Sequence, residues 1–494
     1  MRHLTRCAPP TPLPISLSPD YWLIEAEGKA AEAAPIVLWL NGGPGSSSLI
    51  GLLTENGQLA LNDRSMATAA YNATGVPSLF YNPHSWSRSA HMLYLEQPKG
   101  VGFSYCDAAK AAAEAGLPAR NASALCRNDD HSTAADAQEF LVAFFAHFPE
   151  HAGRDFYITG ESYAGTYIPM LVQQIDKHQG SAPLNFKGAA IGNGCWGSDC
   201  FYGMTEPQID YHIFEGHAFI PQKLKAAIDL ACSDFTDPSP QCSKLLAQSQ
   251  SVPGDFNVYN MYDVCNGDDA LATKGKAQTQ AQAAKGKAAE GRKAAELEVD
   301  GGGGATAPRK GRLERVRAAL RAGNKDLMLT APADSLAPHP ALKRHLGGAL
   351  NDFVCGGERV METWIGLPAV QKALHVDGTT GGMRYDANVG DITGVYEALV
   401  KAHYVLIYSG DVDACVPYWG TERFAERIGG AETEAWHAWK SDTVEGKGEI
   451  VAGYATSYKD FQFITVKGAG HMVPTFKPRV ALTMFNKFIK GEAF

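Results

Sequence analysis

Long hydrophobic runs are missing from this chain. None of its 494 residues belongs to a stretch of 18 or more apolar residues, so no membrane-spanning helix is expected. A basic surplus is missing too. Lys+Arg number 44 against 53 Asp+Glu, a formal net charge of -9, which argues against nucleic acid as a partner. Cysteine is sparse, ten in all. No CxxC occurs and no Cys/His cluster has zinc spacing, so neither metal nor cofactor is expected. The depletion of apolar residues that marks a disordered chain is absent as well. Hydrophobic residues make up 45%, enough for one large domain with insertions or two or three smaller ones.

The few cysteines are informative by spacing. Cys106 and Cys126 stand twenty apart, Cys195 and Cys200 five, Cys232 and Cys242 ten, while Cys265 and Cys355 bracket a long segment and Cys7 and Cys415 are left over. Loop-closing disulfides are the expected reading, and they imply an oxidising compartment. Two sequons, at Asn72 and Asn121, agree with secretion. The basic start, Met1 to Arg6, runs into a Pro-rich stretch with no apolar core, so no signal peptide is visible. A start that is truncated or wrongly placed is the expectation for residues 1–19.

Apolar, partly β-branched runs predict strands over Tyr21–Ala26, Ile36–Leu40, Ala90–Leu95, Phe156–Thr159, Phe186–Ile191, Tyr404–Tyr408 and Phe461–Val466. Helical periodicity covers Ser132–Phe148, Tyr163–Asp176, Val360–His375 and Pro478–Ile489. Strands alternating with helices indicate an α/β class with a mostly parallel central sheet. The core is expected over 20–194 and 360–494, with a cap inserted at 195–359 where the pattern turns irregular. Within that cap, residues 271–345 hold 15 Lys+Arg, 7 Asp+Glu and no aromatic residue. Such a composition cannot bury enough apolar surface to fold alone. A flexible insertion is expected there, with an amphipathic helix conceivable over Arg312–Arg321.

The chemistry gathers at strand ends. Gly160-Glu161-Ser162-Tyr163-Ala164 sits on a strand-to-helix turn, where a tight elbow pushes a serine hydroxyl outward beside a helix N-terminus. Ala164 takes the place of the usual final glycine. A serine nucleophile needs a base, and the base needs an acid. In α/β-hydrolases the chain order is Ser, Asp, His. Ser162 is followed here by Asp411 and Asp413 past one strand, then by His471 in a Gly-rich loop past the last. Spacing does not decide between the two aspartates. Asn41-Gly42-Gly43-Pro44-Gly45 can present backbone N–H groups to a developing oxyanion, with Tyr163 supplying the second. Glu161 and Glu55 are two acids that, sharing one proton, could bind a substrate carboxylate.

These residues resemble the serine carboxypeptidases. The likeness rests on Asn41 to Ser48, Asn82 to Tyr105, Gly160 to Gly165, Gly410 to Asp413 and Gly470 to Pro474, and runs from about Asp20 to the C-terminus without 271–345. It implies an α/β-hydrolase fold with Ser162 as nucleophile, His471 as base and Asp413 as its acid. Gly43 and Tyr163 would form the oxyanion hole. Trp39, Asn41, Gly42, Glu55 and Glu161 would bind the peptide's terminal carboxylate, and Met472 goes with hydrophobic C-terminal residues. The implied activity is release of C-terminal residues from peptides and proteins through an acyl-enzyme at acidic pH, in a vacuole, a lysosome or outside the cell. An acyltransferase on the same scaffold is the alternative, and a non-catalytic binding or chaperone protein a third class. The family usually carries Cys where Ser46 stands, bonded to a cap cysteine; both partners are absent together. Cys265 with Cys355 resembles another family bridge, and the segment between them is where some members are cut.

Overall fold

The computed structural model describes residues 17–107, 126–254, 256–263, 356–376, 383–442, 448–459 and 461–494. Its centre is a sheet of nine strands: β1 (Tyr21–Ile24), β2 (Ile36–Leu40), β3 (His91–Leu95), β4 (Asp155–Glu161), β5 (Asn185–Gly192), β6 (Tyr404–Gly410), β7 (Glu434–Asp442), β8 (Glu449–Ser457) and β9 (Phe461–Val466). Their spatial order is β7-β8-β9-β6-β5-β4-β2-β3-β1. The six strands from β9 to β3 run parallel, while β1 and the β7–β8 hairpin are antiparallel additions at the two edges.

Helices cover both faces, which is why the central strands are continuous apolar runs. Alternate residues feed two cores. Ile36, Leu38 and Leu40 of β2, with Val405 and Ile407 of β6, pack under α1 (Asp130–His147) and α2 (Ala164–Lys177). Val37 and Trp39 of β2, with Leu406 and Tyr408 of β6, face the opposite core. That core is closed by Val480, Met484, Phe485 and Phe488 of the last helix, Pro478–Lys490. The α1 helix starts two residues before the expected Ser132, at a capping box: Asp129 accepts from Ser132 N at 2.7 Å and Ser132 Oγ accepts from Asp129 N.

Two expectations change and one element is added. The single helix expected over Val360–His375 is two, Gly357–Gly366 and Pro368–Ala373. Pro368 lacks an N–H and pushes Leu367 into an extended conformation, so the helix ends and restarts with proline at its first position. The β7–β8 hairpin went unforeseen because its outer face is exposed and its apolar residues do not alternate cleanly. Residues 206–251, expected to be irregular, are helical. They form helices α3 (Glu206–Gly216), α4 (Gln222–Ala231) and α5 (Pro240–Ser251), whose short apolar stripes build a third cluster around Ile209, Ile213, Phe214, Ile228 and Leu246.

Disulfides join Cys106 to Cys126, Cys195 to Cys200 and Cys232 to Cys242, and Cys415 is buried. Asn72 is exposed on the short helix Ala69–Thr74. Asn121, Cys7, Cys265, Cys355 and the whole of 271–345, with its Arg312–Arg321 helix, lie outside the described residues. Among the described residues, no helix is long and apolar enough to cross a membrane.

Candidate active site

Parallel strands place all their C-terminal ends along one edge of the sheet, where an open α/β sheet binds its ligands. β2 delivers Asn41, β4 delivers Ser162, β6 delivers Asp413 and β9 delivers His471. The register pairs Leu40 with Gly160 and Gly410 with Val466, so the four loops open side by side.

Ser162 sits between β4 and α2 with φ +62°, a left-handed conformation that costs a non-glycine residue about 1–3 kcal/mol. Its N–H donates to Gly192 O at 2.9 Å, and its C=O accepts from Gly165 N at 2.9 Å and Cys195 N at 3.0 Å. Those bonds hold the strained elbow. The Ala164 methyl fits because Gly160 faces it without a side chain. A Cβ on Gly160 would lie 2.3 Å from Leu40 O and 2.8 Å from the Ala164 Cβ, so the elbow accepts only small residues there. Gly42 approaches from the other side: a Cβ at that position would stand 2.2 Å from Tyr163 N. Neither Gly43 N–H nor Tyr163 N–H makes a hydrogen bond among the described residues, and Tyr163 occupies the N-cap of α2. Two N–H groups are thus free of partners, that of Tyr163 at the positive end of α2 and that of Gly43 in the loop whose Gly42 packs on Ser162.

His471 is 2% exposed. Its Nδ1 lies 2.7 Å from Asp413 Oδ2, and its backbone N–H donates to Tyr259 O at 2.7 Å. The Tyr259 ring packs on the imidazole at 5.1 Å. His471 Nε2 makes no hydrogen bond among the described residues, and none joins it to Ser162 Oγ in this structure; such bonds tighten when substrate arrives. The choice between the aspartates is geometric. Asp413 faces His471, whereas Asp411 turns to the loop before it and accepts from Gly468 N at 2.6 Å. Burial pushes the Asp411 carboxyl up to about 6.

Asp413 also accepts from Cys415 N at 2.7 Å, Val416 N at 3.2 Å and Asn193 Nδ2 at 2.9 Å. Asn193 is a residue that sequence reasoning missed. It follows β5 with φ +41°, a region Asn tolerates better than most residues, and its Oδ1 accepts from Gly410 N at 3.1 Å. The Gly192-Asn193-Gly194 sequence past a strand was the available signal.

The residues expected to bind a terminal carboxylate gather around Asn41. Its Oδ1 accepts from Trp39 Nε1 at 2.7 Å and Gly51 N at 3.0 Å. That fixes the amide so that Nδ2 donates to Glu55 Oε1 at 2.9 Å and Glu161 Oε1 at 3.1 Å. Glu55 ends a π-helical turn, Gly51–Glu55. Burial raises both carboxyls above the usual range, and the facing Glu55 carboxyl raises Glu161 further. Glu55 Oε2 and Glu161 Oε2 have no donor among the described residues. A proton shared between the two acids would supply what is missing. Met472, half-buried, packs between the two main cores directly after His471. No group of three or more His, Cys, Asp or Glu among the described residues is arranged to hold a metal ion.

A helix-flanked parallel sheet with a serine on a strained strand-to-helix elbow is the α/β-hydrolase fold. Residues 20–491 match the serine carboxypeptidase family, and the chain belongs to that family: it is a serine-type carboxypeptidase. It is 29% identical to serine carboxypeptidase-like 20 of Arabidopsis thaliana, over 96% of this chain and 86% of that one. It is 28% identical to the lysosomal protective protein of Mus musculus, over 96% and 88%. Among solved structures it shares the fold of Kex1(delta)p, a prohormone-processing carboxypeptidase from Saccharomyces cerevisiae. The TM-score is 0.56 and the identity 18%, over 96% of this chain and 87% of that one.

Proposed function

We propose that this protein releases C-terminal residues from peptides through an acyl-enzyme, works best at acidic pH and favours a hydrophobic last residue. The observation that carries the reading is the buried Glu55–Glu161 pair held by Asn41, beside the Ser162 elbow. Protonated once, the pair can donate to a peptide's terminal carboxylate, with Asn41 and Gly42 beside it and Trp39 fixing Asn41. The scissile bond then lies over Ser162. His471 Nε2 takes the hydroxyl proton, Asp413 holds Nδ1, and Ser162 Oγ bonds to the carbonyl carbon. The oxygen, now negative, meets the N–H groups of Gly43 and Tyr163. Collapse expels the last residue as an amine that carries the proton from His471. Water, activated by the same imidazole, frees the shortened peptide. As pH rises the pair ionises fully and repels the carboxylate it should bind, so turnover falls. Met472 supplies an apolar wall for the departing residue.

An acidic compartment of the cell or its exterior fits three disulfides and an exposed sequon at Asn72. The test is a pH series of turnover on blocked dipeptides, their C-terminal amides and glucose-ester acyl donors. The free-acid dipeptides should be cleaved fastest, and most so below neutral pH. Faster transfer from the glucose ester to an alcohol would replace this reading with that of an acyltransferase.

A further inference from the structure

Tyr163 is held by its ring as well as by its backbone. Its hydroxyl donates to Asp130 Oδ1 at 2.8 Å, and the Tyr385 hydroxyl donates to the same oxygen at 2.7 Å. Asp130 Oδ2 accepts from Asn388 N at 2.7 Å and Val389 N at 2.8 Å. Asp130 is 1% exposed and is the first residue of α1. Four donors thus converge on one buried carboxylate at the positive end of a helix, an arrangement that satisfies a buried charge. The other side of the site reaches the same cluster. The Tyr167 hydroxyl accepts from Gly45 N at 3.1 Å. The ring of Tyr167 lies 5.2 Å from that of Tyr163 and 6.2 Å from that of Tyr385.

We propose that Asp130 is a positioning residue for the oxyanion hole: through the Tyr163 hydroxyl it sets the direction of the Tyr163 N–H beside Ser162. The inference rests on the reading of Gly43 and Tyr163 as the hole. The peptide between Ser162 and Tyr163 leaves a residue in a left-handed conformation, so its orientation needs a second anchor besides the backbone bonds of Ser162. The Tyr163 side chain supplies that anchor, and only an anion can receive all four donors. An asparagine would aim its NH2 at groups that donate. A hole donor shifted by a fraction of an ångström loses transition-state stabilisation while substrate binding, governed by the Asn41 cluster, stays.

The experiment uses the full chain and compares Asp130→Asn, Tyr163→Phe and the double variant. For each, kcat and KM are measured on a blocked dipeptide, with the affinity for a blocked amino-acid aldehyde, whose adduct with Ser162 places its oxygen in the hole. Each single variant should lose about 10- to 100-fold in kcat, with KM within about threefold and aldehyde affinity falling in parallel. The double variant should be no worse than the poorer single one, because both remove the same bond. A folded Asp130→Asn protein with wild-type kcat would overturn the proposal. If that variant does not fold, Tyr163→Phe decides alone, and an unchanged kcat there overturns it equally. Ser162→Ala separates the two levels of argument. Turnover surviving Ser162→Ala sinks the active-site reading itself, whereas an inactive Ser162→Ala beside a fully active Asp130→Asn sinks only the role of Asp130.

Discussion

Asp413 and the Glu55–Glu161 pair are buried carboxyl groups on either side of one serine, and they are furnished in opposite ways. Asp413 receives three N–H donors besides His471, from Asn193, Cys415 and Val416. The two glutamates share a single donor group, the Asn41 amide, and leave an oxygen apiece without one. Burial is alike: Asp413 is 1% exposed, Glu55 4% and Glu161 3%. The number of donors separates them. In the proposed mechanism the donor-rich carboxylate faces the imidazole, whereas the donor-poor pair presents a proton to the substrate. On the proposed reading, one edge of one sheet carries two kinds of acid chemistry.

The comparison is broken most sharply at the donor-rich side. Replacing Ser162 or His471 by Ala should lower kcat by several orders of magnitude, and Asp413→Asn by about 10⁴-fold. Near-normal turnover on blocked dipeptides in any of the three would end the assignment. Asn193→Ala removes one donor from Asp413 and puts Ala at a positive φ. About tenfold in kcat should go with it, together with about 1–3 kcal/mol of stability in urea titration. Wild-type values would show that the donor count around Asp413 does not matter.

The donor-poor side is sharpened by Glu161→Gln, which removes the ionisation but keeps a hydrogen-bond donor. The wild type should lose activity as pH rises through the raised range of the pair, and the variant should decline less; superimposable kcat/KM profiles would refute the shared proton. The smallest effect concerns stability. Asp20 is a further buried carboxyl, raised to about 8 chiefly by burial and then by facing Glu96. A folded-state value above the unfolded one stabilises the protein fully below the unfolded value, and that stability is lost as pH rises through the folded value. With Asp20, Asp411 and Glu96 all raised, Tm should fall between about pH 4 and pH 8. Asp20→Asn should flatten the slope, and a Tm rising over that window would contradict the burial argument.

Much of the site was legible because strand ends and glycines mark themselves. The Gly160 to Gly165 elbow, the Asn41 to Gly45 turn and the loop of His471 each follow an apolar run, and chain order arranged them. Asp130 carried no local mark, and the glycines flanking Asn193 marked its place but not its role. Their roles come from bonds to partners more than 200 residues away, to Asp413 and Gly410 in one case and to Tyr385, Asn388 and Val389 in the other. No local periodicity reports such pairings. The α3–α5 cap helices were hidden for a related reason: short helices with narrow apolar stripes look irregular until their partner surface is present.

The sequence by itself determined the class of sheet, the identity of the elbow and the residues that gather at its edge, because backbone geometry and apolar periodicity are local properties. It left Asp411 and Asp413 equal until a resemblance pointed to one. Only the tertiary structure turned Asp413 toward His471 and gave it three further donors, and only it pressed Glu161 against Glu55 without donors of their own. Hydrogen bonding and desolvation depend on what surrounds a group in space, and that neighbourhood exists only once the chain has folded.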